Sequence, residues 1–162
     1  VNIMKIETKD LILRTVNKDD IAEVARMYDY PNTISLSQAE KAIDTMIGNY
    51  NQNKVGYIKH LCLAVYLKEK PTVIISWCGL DGEAEKDKVV IFYIVDEKYR
   101  NKGYATQSAK AILQYAFEQA QLEHVYGGCD KNNIASFKVM SNIGMKNYGI
   151  DDNNNPQFRV ER

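Results

Sequence analysis

The sequence has few of the residues that build metal sites and disulfide frameworks. Its 162 residues include two histidines and three cysteines, and Cys62, Cys78 and Cys129 are widely spaced. No two cysteines form a Cys-x-x-Cys pair, and His60 and His124 each stand alone, without the clustered ligands of a zinc site. Zinc sites need clustered ligands and disulfide scaffolds need paired cysteines. We therefore expect no bound metal, and we expect the cysteines to be reduced thiols in the core.

Net charge and long apolar segments are also lacking. The 21 basic and 21 acidic side chains cancel, so no overall field attracts nucleic acid or an anionic membrane, and we expect neither as a partner. The longest apolar run, residues 89–94, is strand-sized and far below the ~20 residues of a membrane-spanning helix. Residues 1–7 lack the basic and apolar segments of a secretion signal. These absences predict a cytoplasmic protein.

Internal repeats are absent, and residues 151–155 (Asp-Asp-Asn-Asn-Asn) are the one segment of low complexity, which predicts an exposed turn. A domain of this length buries roughly two-thirds of the surface that its unfolded chain exposes. One core is therefore sufficient, and we predict a single domain over residues 1–162.

Hydrophobic periodicity predicts the element order β-α-α-β-β-β-α-β-α-β-β. A strand over residues 11–16 precedes a helix opened by Asn17 and Asp20, and a capping box of Ser37 and Glu40 opens the second helix. Strands over residues 61–67, 72–80 and 88–95 have no helix between them and predict an antiparallel meander. A long helix follows Arg100, and a strand over residues 123–129, a helix over 134–143 ended by Gly144, and strands over 145–150 and 157–160 complete the chain.

The most informative segment is residues 89–106, where a strand runs through a basic turn into a helix. Free N–H groups and the positive end of the dipole meet at a helix start, which favours a pyrophosphate. Gly103 allows close backbone approach, Ala105 keeps the next turn free of bulk, and Arg100 and Lys102 add positive charge. The alternative is an ordinary turn with solvated basic residues. The sequence contains neither a Walker loop nor a Gly-x-Gly-x-x-Gly motif, so it gives no support for a mononucleotide or NAD site.

This segment resembles a known family. Arg100-Asn101-Lys102-Gly103-Tyr104-Ala105 resembles the Arg/Gln-x-x-Gly-x-Gly/Ala signature of the GNAT acetyltransferases. Residues 7–14 look like the opening of the Rim-type (ribosomal-protein N-acetyltransferase) branch, residues 130–136 like its Asn-x-x-Ser motif, and residues 139–145 like its closing Gly-Phe segment with Met in place of Phe. The resemblance covers nearly the whole chain, so the sequence is identified as a GNAT member most similar to the Rim-type branch.

The resemblance implies an α/β (α+β) fold with a mixed, mostly antiparallel sheet of six to seven strands and about four helices. It also implies that acetyl-CoA lies in a V where the fourth and fifth strands, residues 88–95 and 123–129, splay apart. Main-chain groups left unpaired there would bind the pantetheine arm, and an N–H near Ile94 would polarise the thioester carbonyl. The implied cofactor-binding residues are Tyr93, Ile94, Val95, Arg100, Asn101, Lys102, Gly103, Tyr104, Ala105, Thr106, Asn133, Ser136 and Phe137.

The proton-handling residues of the family are only partly matched. The tyrosine that many members carry four residues before the closing glycine is Met140 here, so the resemblance implies Ser136 as the acid. The glutamate that serves Rim-type members as the base is replaced by Tyr148, and the base stays open, with Tyr148, Tyr93 and Asp81 each able to reach the cleft. We also weigh a capping role for Asn133 and a core position for Phe137.

The expected function is transfer of an acetyl group from acetyl-CoA to a primary amine by direct attack in a ternary complex. The alternative is a catalytically weak sensor or partner-binding module that keeps the acyl-CoA site. The predicted helices over residues 19–30 and 37–50, with the loop over 51–59, are expected to form the acceptor wall. Small amines, aminoglycoside-like compounds and protein N-termini are all candidate acceptors. The expected oligomeric state is a monomer or a homodimer.

Overall fold

The computed structural model describes residues 3–162, in which eight strands form one mixed sheet. Val1 and Asn2, which belong to the segment expected to lack a secretion signal, lie outside the described residues. The strands lie in the order β1-β2-β3-β4-β5-β6-β8-β7. Their bounds are β1 Lys5–Glu7, β2 Leu11–Arg14, β3 His60–Leu67, β4 Lys70–Glu85, β5 Lys88–Val95, β6 His124–Gly128, β7 Lys146–Ile150 and β8 Pro156–Glu161.

Four α-helices pack on this sheet. They are α1 Ile21–Met27, α2 Leu36–Tyr50, α3 Tyr104–Glu118 and α4 Ile134–Asn142. The predicted fold class and element order are confirmed, with one further strand, β1, at the edge of the sheet. β1 escaped prediction because three residues, Lys-Ile-Glu, are too few to show a period of two.

Helix starts follow the expected capping chemistry at one site and differ at another. Asn17 and Asp20 form the predicted capping box. The start of α2 is capped by Ser35 and Gln38, with Ser35 Oγ accepting from the Gln38 N–H at 3.1 Å and Gln38 Oε1 accepting from the Ser35 N–H at 2.9 Å. The predicted box of Ser37 and Glu40 is therefore wrong. Two similar Ser-x-x-Gln/Glu patterns overlap here, and the extended backbone that a cap requires falls at Ser35 (ψ 161°).

The two faces of the sheet are covered differently. On one face, α3 packs on β2, β4 and β5, and α3 also contacts α4; on the other, α1 packs on β4 and α2 on β3. Ile94 of β5 is the register partner of Trp77, which belongs to the core beneath α1 and α2. Register partners share a face, yet Ile94 remains 49% exposed. The face opposite α3 therefore stays open over part of β5.

The parallel neighbours β5 and β6 separate almost at once. Their register contains one pair, Val90 with Tyr126, whereas β6 pairs with β8 along its whole length from His124 to Gly128. The second half of β5 thus has β4 on one side and a widening gap on the other. This arrangement agrees with the expected splay between these two strands.

Candidate active site

The loop before α3 has the backbone of an anion-binding turn. Gly103 is the N-cap of α3 with a left-handed φ of 81°, and Asn101 also has a positive φ of 62°. No side chain in the described chain caps this helix start, so its first N–H groups face outward without an intrahelical partner. A Cβ built on Gly103 would meet nothing within 4 Å. The predicted strand–turn–helix is present, with open space where the cradle is expected.

Arg100 makes one hydrogen bond to the main chain at the end of β5. Its Nε donates to the Val95 carbonyl at 2.9 Å, so this carbonyl is not one of the unpaired groups expected at the end of β5. The other side of Val95 faces its register partner Ser76 in β4. Arg100, Asn101, Lys102 and Gly103 are all exposed, and Tyr104, Ala105 and Thr106 form the half-buried first turn of α3.

Tyr93 and Ser136 meet across the V. The Tyr93 hydroxyl lies 2.8 Å from Ser136 Oγ and 3.2 Å from the Ser136 carbonyl oxygen. Burial raises the pKa of Tyr93 to about 12, although the hydrogen bond with Ser136 opposes the shift. The phenol therefore keeps its proton across the physiological range and can donate it. Burial also raises the pKa of the neighbouring Cys129 thiol, against the opposing hydrogen bond with Ser136.

Asn133 and Phe137 occupy the start of α4. Asn133 is the N-cap, and its side-chain oxygen accepts from the Ser136 N–H at 3.0 Å, which is the capping role weighed for it. Phe137 lies edge-on to Phe158 with ring centroids 5.0 Å apart, yet it stays 39% exposed. Both side chains are thus held by packing or hydrogen bonds beside Ser136.

A cavity of about 290 Å³ lies at the closed end of the V. Its lining includes Val90 and Tyr126, the one register pair of β5 and β6, together with Glu85, Gly127, Gly128, Cys129, Tyr148, Asp151, Asn155 and Gln157. Tyr148 lines this cavity, whereas Ser136 and Tyr93 do not. Cys129 connects the two places, because it lines the cavity and also contacts Ser136.

Tyr148 belongs to a cluster around a lysine. The Lys88 ammonium lies 3.4 Å from the Tyr148 hydroxyl and 3.3 Å from Glu85 Oε2, and 5.0 Å from the centre of the Tyr126 ring. Arg159 lies 5.1 Å from the centre of the Tyr148 ring. Lys88 is thus the cation of this cluster, placed against aromatic faces and paired with the Glu85 carboxylate.

His60 and Asp81 form a pair that sequence reasoning missed in part, because it named Asp81 alone. His60 Nε2 lies 4.0 Å from Asp81 Oδ2, and the imidazole stacks on Phe92 with ring centroids 5.4 Å apart. These residues meet because His60 and Asp81 are register partners in β3 and β4. The predicted antiparallel meander would indicate this pair only if the register between its strands were known.

The expected acceptor wall is connected to the cofactor loop. Tyr28 is 47% exposed and edge-on to Trp77, and the Tyr30 hydroxyl accepts from the Glu97 N–H at 2.9 Å. Arg26 of α1 donates to Asp96 Oδ2 at 3.3 Å. Residues 96 and 97 precede the basic turn over residues 100–103. These hydrogen bonds therefore connect α1 and the loop after it to the segment that leads into the turn. Tyr57 is 48% exposed and contacts Lys54 rather than this segment.

Among residues 3–162, no helix is both long and apolar enough to cross a membrane. Within the same residues, no three His, Cys, Asp or Glu side chains are grouped so that they could hold a metal ion.

A family model and two relatives from Bacillus subtilis are similar to this chain in sequence. The model of the acetyltransferase (GNAT) domain matches residues 10–146. The uncharacterized N-acetyltransferase YnaD of Bacillus subtilis is 41% identical over 60 residues, which are 37% of this chain and 35% of that relative. A second relative from Bacillus subtilis, the uncharacterized protein YkkB, is 32% identical over 60% of this chain and 57% of its own length. The chain thus spans between about a third and three-fifths of these relatives.

Solved structures show the same fold at low identity. The ribosomal-protein-S5-alanine acetyltransferase from Vibrio fischeri superposes with a TM-score of 0.81 at 14% identity, over 98% of this chain and 96% of that one. Mycobacterium smegmatis RimJ in complex with a CoA-disulfide gives a TM-score of 0.74 at 14% identity, over 93% of this chain and 81% of that one. At such identities the likeness concerns the fold.

Proposed function

This chain belongs to the GNAT acetyltransferase family and carries an acyltransferase domain, and we propose that it transfers the acetyl group of acetyl-CoA to a primary amine. One observation carries the proposal. The uncapped start of α3 and the gap beyond the pair of Val90 and Tyr126 both lie toward the carboxyl end of β5. One extended ligand with an anionic end and an amide-bearing arm fits both features.

The residues present fit this cosubstrate. The left-handed Gly103 and the N–H groups of the first turn of α3 suit a pyrophosphate, and the exposed Arg100 and Lys102 add charge. The main chain at Tyr93 faces the gap, where pantetheine amides would satisfy it, because the Asp96 N–H donates to the Ile75 carbonyl in β4 and strand residues alternate in direction, which puts Ile94 on the β4 side. Asn133, Ser136 and Phe137 would flank the thiol end. When bound, acetyl-CoA supplies the activated acyl carbon.

The proposed chemistry is direct attack of a neutral amine in a ternary complex. The N–H near Ile94 stabilises the oxyanion as the carbon–nitrogen bond forms. The hydroxyl pair of Ser136 and Tyr93 protonates the sulfur as the carbon–sulfur bond breaks, because the two hydroxyls lie 2.8 Å apart and can pass a proton between them. Tyr148 is the second proposed proton-handling residue, at the cavity end of the site.

The acceptor is proposed to enter from the face opposite α3, which is open over β5. A protein N-terminus is supported by the likeness to Rim-type structures in fold and motif order, and a small amine by the size of the cavity. We further propose that residues 1–162 act as one domain and that the protein is cytoplasmic.

The test is release of free CoA thiol from acetyl-CoA across a panel of amines. The panel contains spermidine, kanamycin and tripeptide amides that begin with Ala or Ser, with a reaction lacking amine as the control. The proposal expects release above the control with at least one amine. A non-catalytic acyl-CoA-binding module, the alternative, predicts stabilisation by acetyl-CoA with thiol release that never exceeds the control.

A further inference from the structure

The open face of the sheet beside the proposed oxyanion site carries an imidazole. His60 lies at the start of β3, and its ring stacks nearly parallel on Phe92, at 21°. Phe92 is two residues before Ile94 in β5, and side chains two residues apart lie on the same face. His60 therefore lies on the face from which the acceptor would approach.

A carboxylate orients this imidazole. Asp81 Oδ2 lies 4.0 Å from His60 Nε2, and Asp81 Oδ1 is fixed by the N–H groups of Glu83 and Ala84 at 2.8 and 3.1 Å. A carboxylate on the Nε2 side favours a proton on that nitrogen, which leaves the Nδ1 lone pair free to accept one. The His60 side chain is 28% exposed and that of Asp81 is 29% exposed, so both are accessible to a substrate or to water.

Two neighbouring strands place side chains against the His60 ring. Asp81 approaches from β4, and the apolar Phe92 approaches from β5. On the loop before β3, Asn53 is neutral and binds the His60 main chain, and the Lys59 ammonium is directed to Gln52 at 3.5 Å. The ring is thus set between one carboxylate and one aromatic face.

We propose that His60, oriented by Asp81, is the general base that deprotonates the acceptor ammonium, a role that rests on the proposed function. One ammonium proton passes to Nδ1 of His60 and then to solvent. The freed lone pair forms the carbon–nitrogen bond, and the sulfur leaves with the electron pair of the broken carbon–sulfur bond. The sulfur takes a proton from the hydroxyl pair, which regains one from the amide nitrogen, so that one amide, one thiol and one free proton result.

The test compares His60→Gln with His124→Gln, which removes the other histidine of the chain. His124 lies at the start of β6 with its side chain 46% exposed and outside the proposed machinery. The readout is kcat/KM from pH 5.5 to 9 with the fastest amine of the panel. His60→Gln should lower kcat/KM about 100-fold at pH 7 and remove the acidic limb of the profile, and His124→Gln should change neither.

Two further variants separate chemistry from folding. Asp81→Asn should lower kcat/KM less than His60→Gln does, because the imidazole then loses only the carboxylate beside Nε2. His60→Ala should regain activity when imidazole is added, while both variants keep the thermal stabilisation by acetyl-CoA. The proposal is overturned if His60→Gln retains the acidic limb with kcat/KM within twofold of wild type. It is also overturned if the loss of kcat/KM in His60→Gln is matched by an equal loss of thermal stabilisation by acetyl-CoA. Failure of the proposed function is distinct, since wild type would then turn over no amine.

Discussion

The Tyr93 hydroxyl lies 2.8 Å from Ser136 Oγ, so that a hydroxyl pair joins β5 to α4 across the opening of the V. Removing Ser136 Oγ separates the proposed leaving sulfur from its donor. Ser136→Ala should lower kcat by about 10- to 100-fold while acetyl-CoA binding stays nearly unchanged. Steady-state kinetics together with thermal shifts in acetyl-CoA measure the two effects.

Tyr148→Phe is the paired test, because it removes one hydroxyl and little volume. The Tyr148 hydroxyl lies 3.4 Å from the Lys88 ammonium, and a loss of kcat in this variant but not in Ser136→Ala would move the acid role to Tyr148. Full activity in both variants from pH 6 to 9 would contradict any chemical role for either hydroxyl. Tyr93→Phe tests the other half of the hydroxyl pair.

Gly103→Val should weaken acetyl-CoA binding far more than it weakens folding. The branched side chain would occupy the open space above the N–H groups of α3, where a Cβ at present meets nothing within 4 Å. Gly56→Val is the matched control, since Gly56 has the same φ of 81° and the same open surroundings. Both variants introduce backbone strain of roughly 1–2 kcal/mol. The expected result is at least a tenfold loss of affinity, measured by calorimetry, in Gly103→Val alone; equal affinities in the two variants would exclude the loop as the anchor.

Acetyl-CoA should raise the melting temperature, and acetylated pantetheine should not do so to a similar extent. A ligand that binds only the native state stabilises it by about 2.7 kcal/mol at 100 times its dissociation constant. The truncated ligand lacks the pyrophosphate that the start of α3 is proposed to bind. Thermal unfolding at matched ligand concentrations measures the difference, and an equal shift with both ligands would rule out the loop over residues 100–105 as the main anchor.

Asp20→Asn should destabilise the protein at neutral pH. Burial raises the pKa of the Asp20 carboxyl, but hydrogen bonds from Arg14 and from the Asn17 N–H outweigh it and hold this pKa below its ordinary value. A carboxyl with a lowered folded pKa contributes stability above its unfolded pKa of about 3.9, and this is lost as the pH falls through the folded value. The variant should lose roughly 2–3 kcal/mol at pH 7, somewhat below the range for fully buried pairs, because the Arg14 side chain is 23% exposed.

Urea unfolding at pH 7 and at pH 3 measures this effect. The difference in stability between wild type and Asp20→Asn should shrink at the lower pH, since the wild-type carboxyl then begins to protonate. Asp44→Asn is the control, because its ion pair with Lys18 is 2.8 Å long but the Asp44 side chain is 62% exposed. A difference that stays constant between the two pH values would contradict the assigned charge on Asp20.

The sequence predicted the fold class and the elements around the cofactor loop because their patterns are long and local. The periodicity of α3, the meander and the turn at Gly103 each show within a continuous segment. Met140 is instructive as well. It is 1% exposed and belongs to the core, so this position contributes a packed apolar side chain and no hydroxyl.

Features that depend on register or on competing local choices were not predictable in the same way. His60 and Asp81 are 21 positions apart and become neighbours only through the pairing of β3 with β4. The hydrogen bond from Arg100 Nε to the Val95 carbonyl likewise has no counterpart in the sequence pattern. The start of α2 depended on which of two overlapping serines had the extended backbone. Each of these outcomes is decided by tertiary geometry rather than by residue type.

The central claim, acetyl transfer to an amine, is tested most directly by mass spectrometry of the amine after incubation with acetyl-CoA and the protein. The account predicts an acetylated amine that accumulates in step with free CoA thiol, at a rate that Gly103→Val strongly reduces at low acetyl-CoA. Free thiol released at the same rate with and without amine, with no acetylated product from any member of the panel, would contradict it.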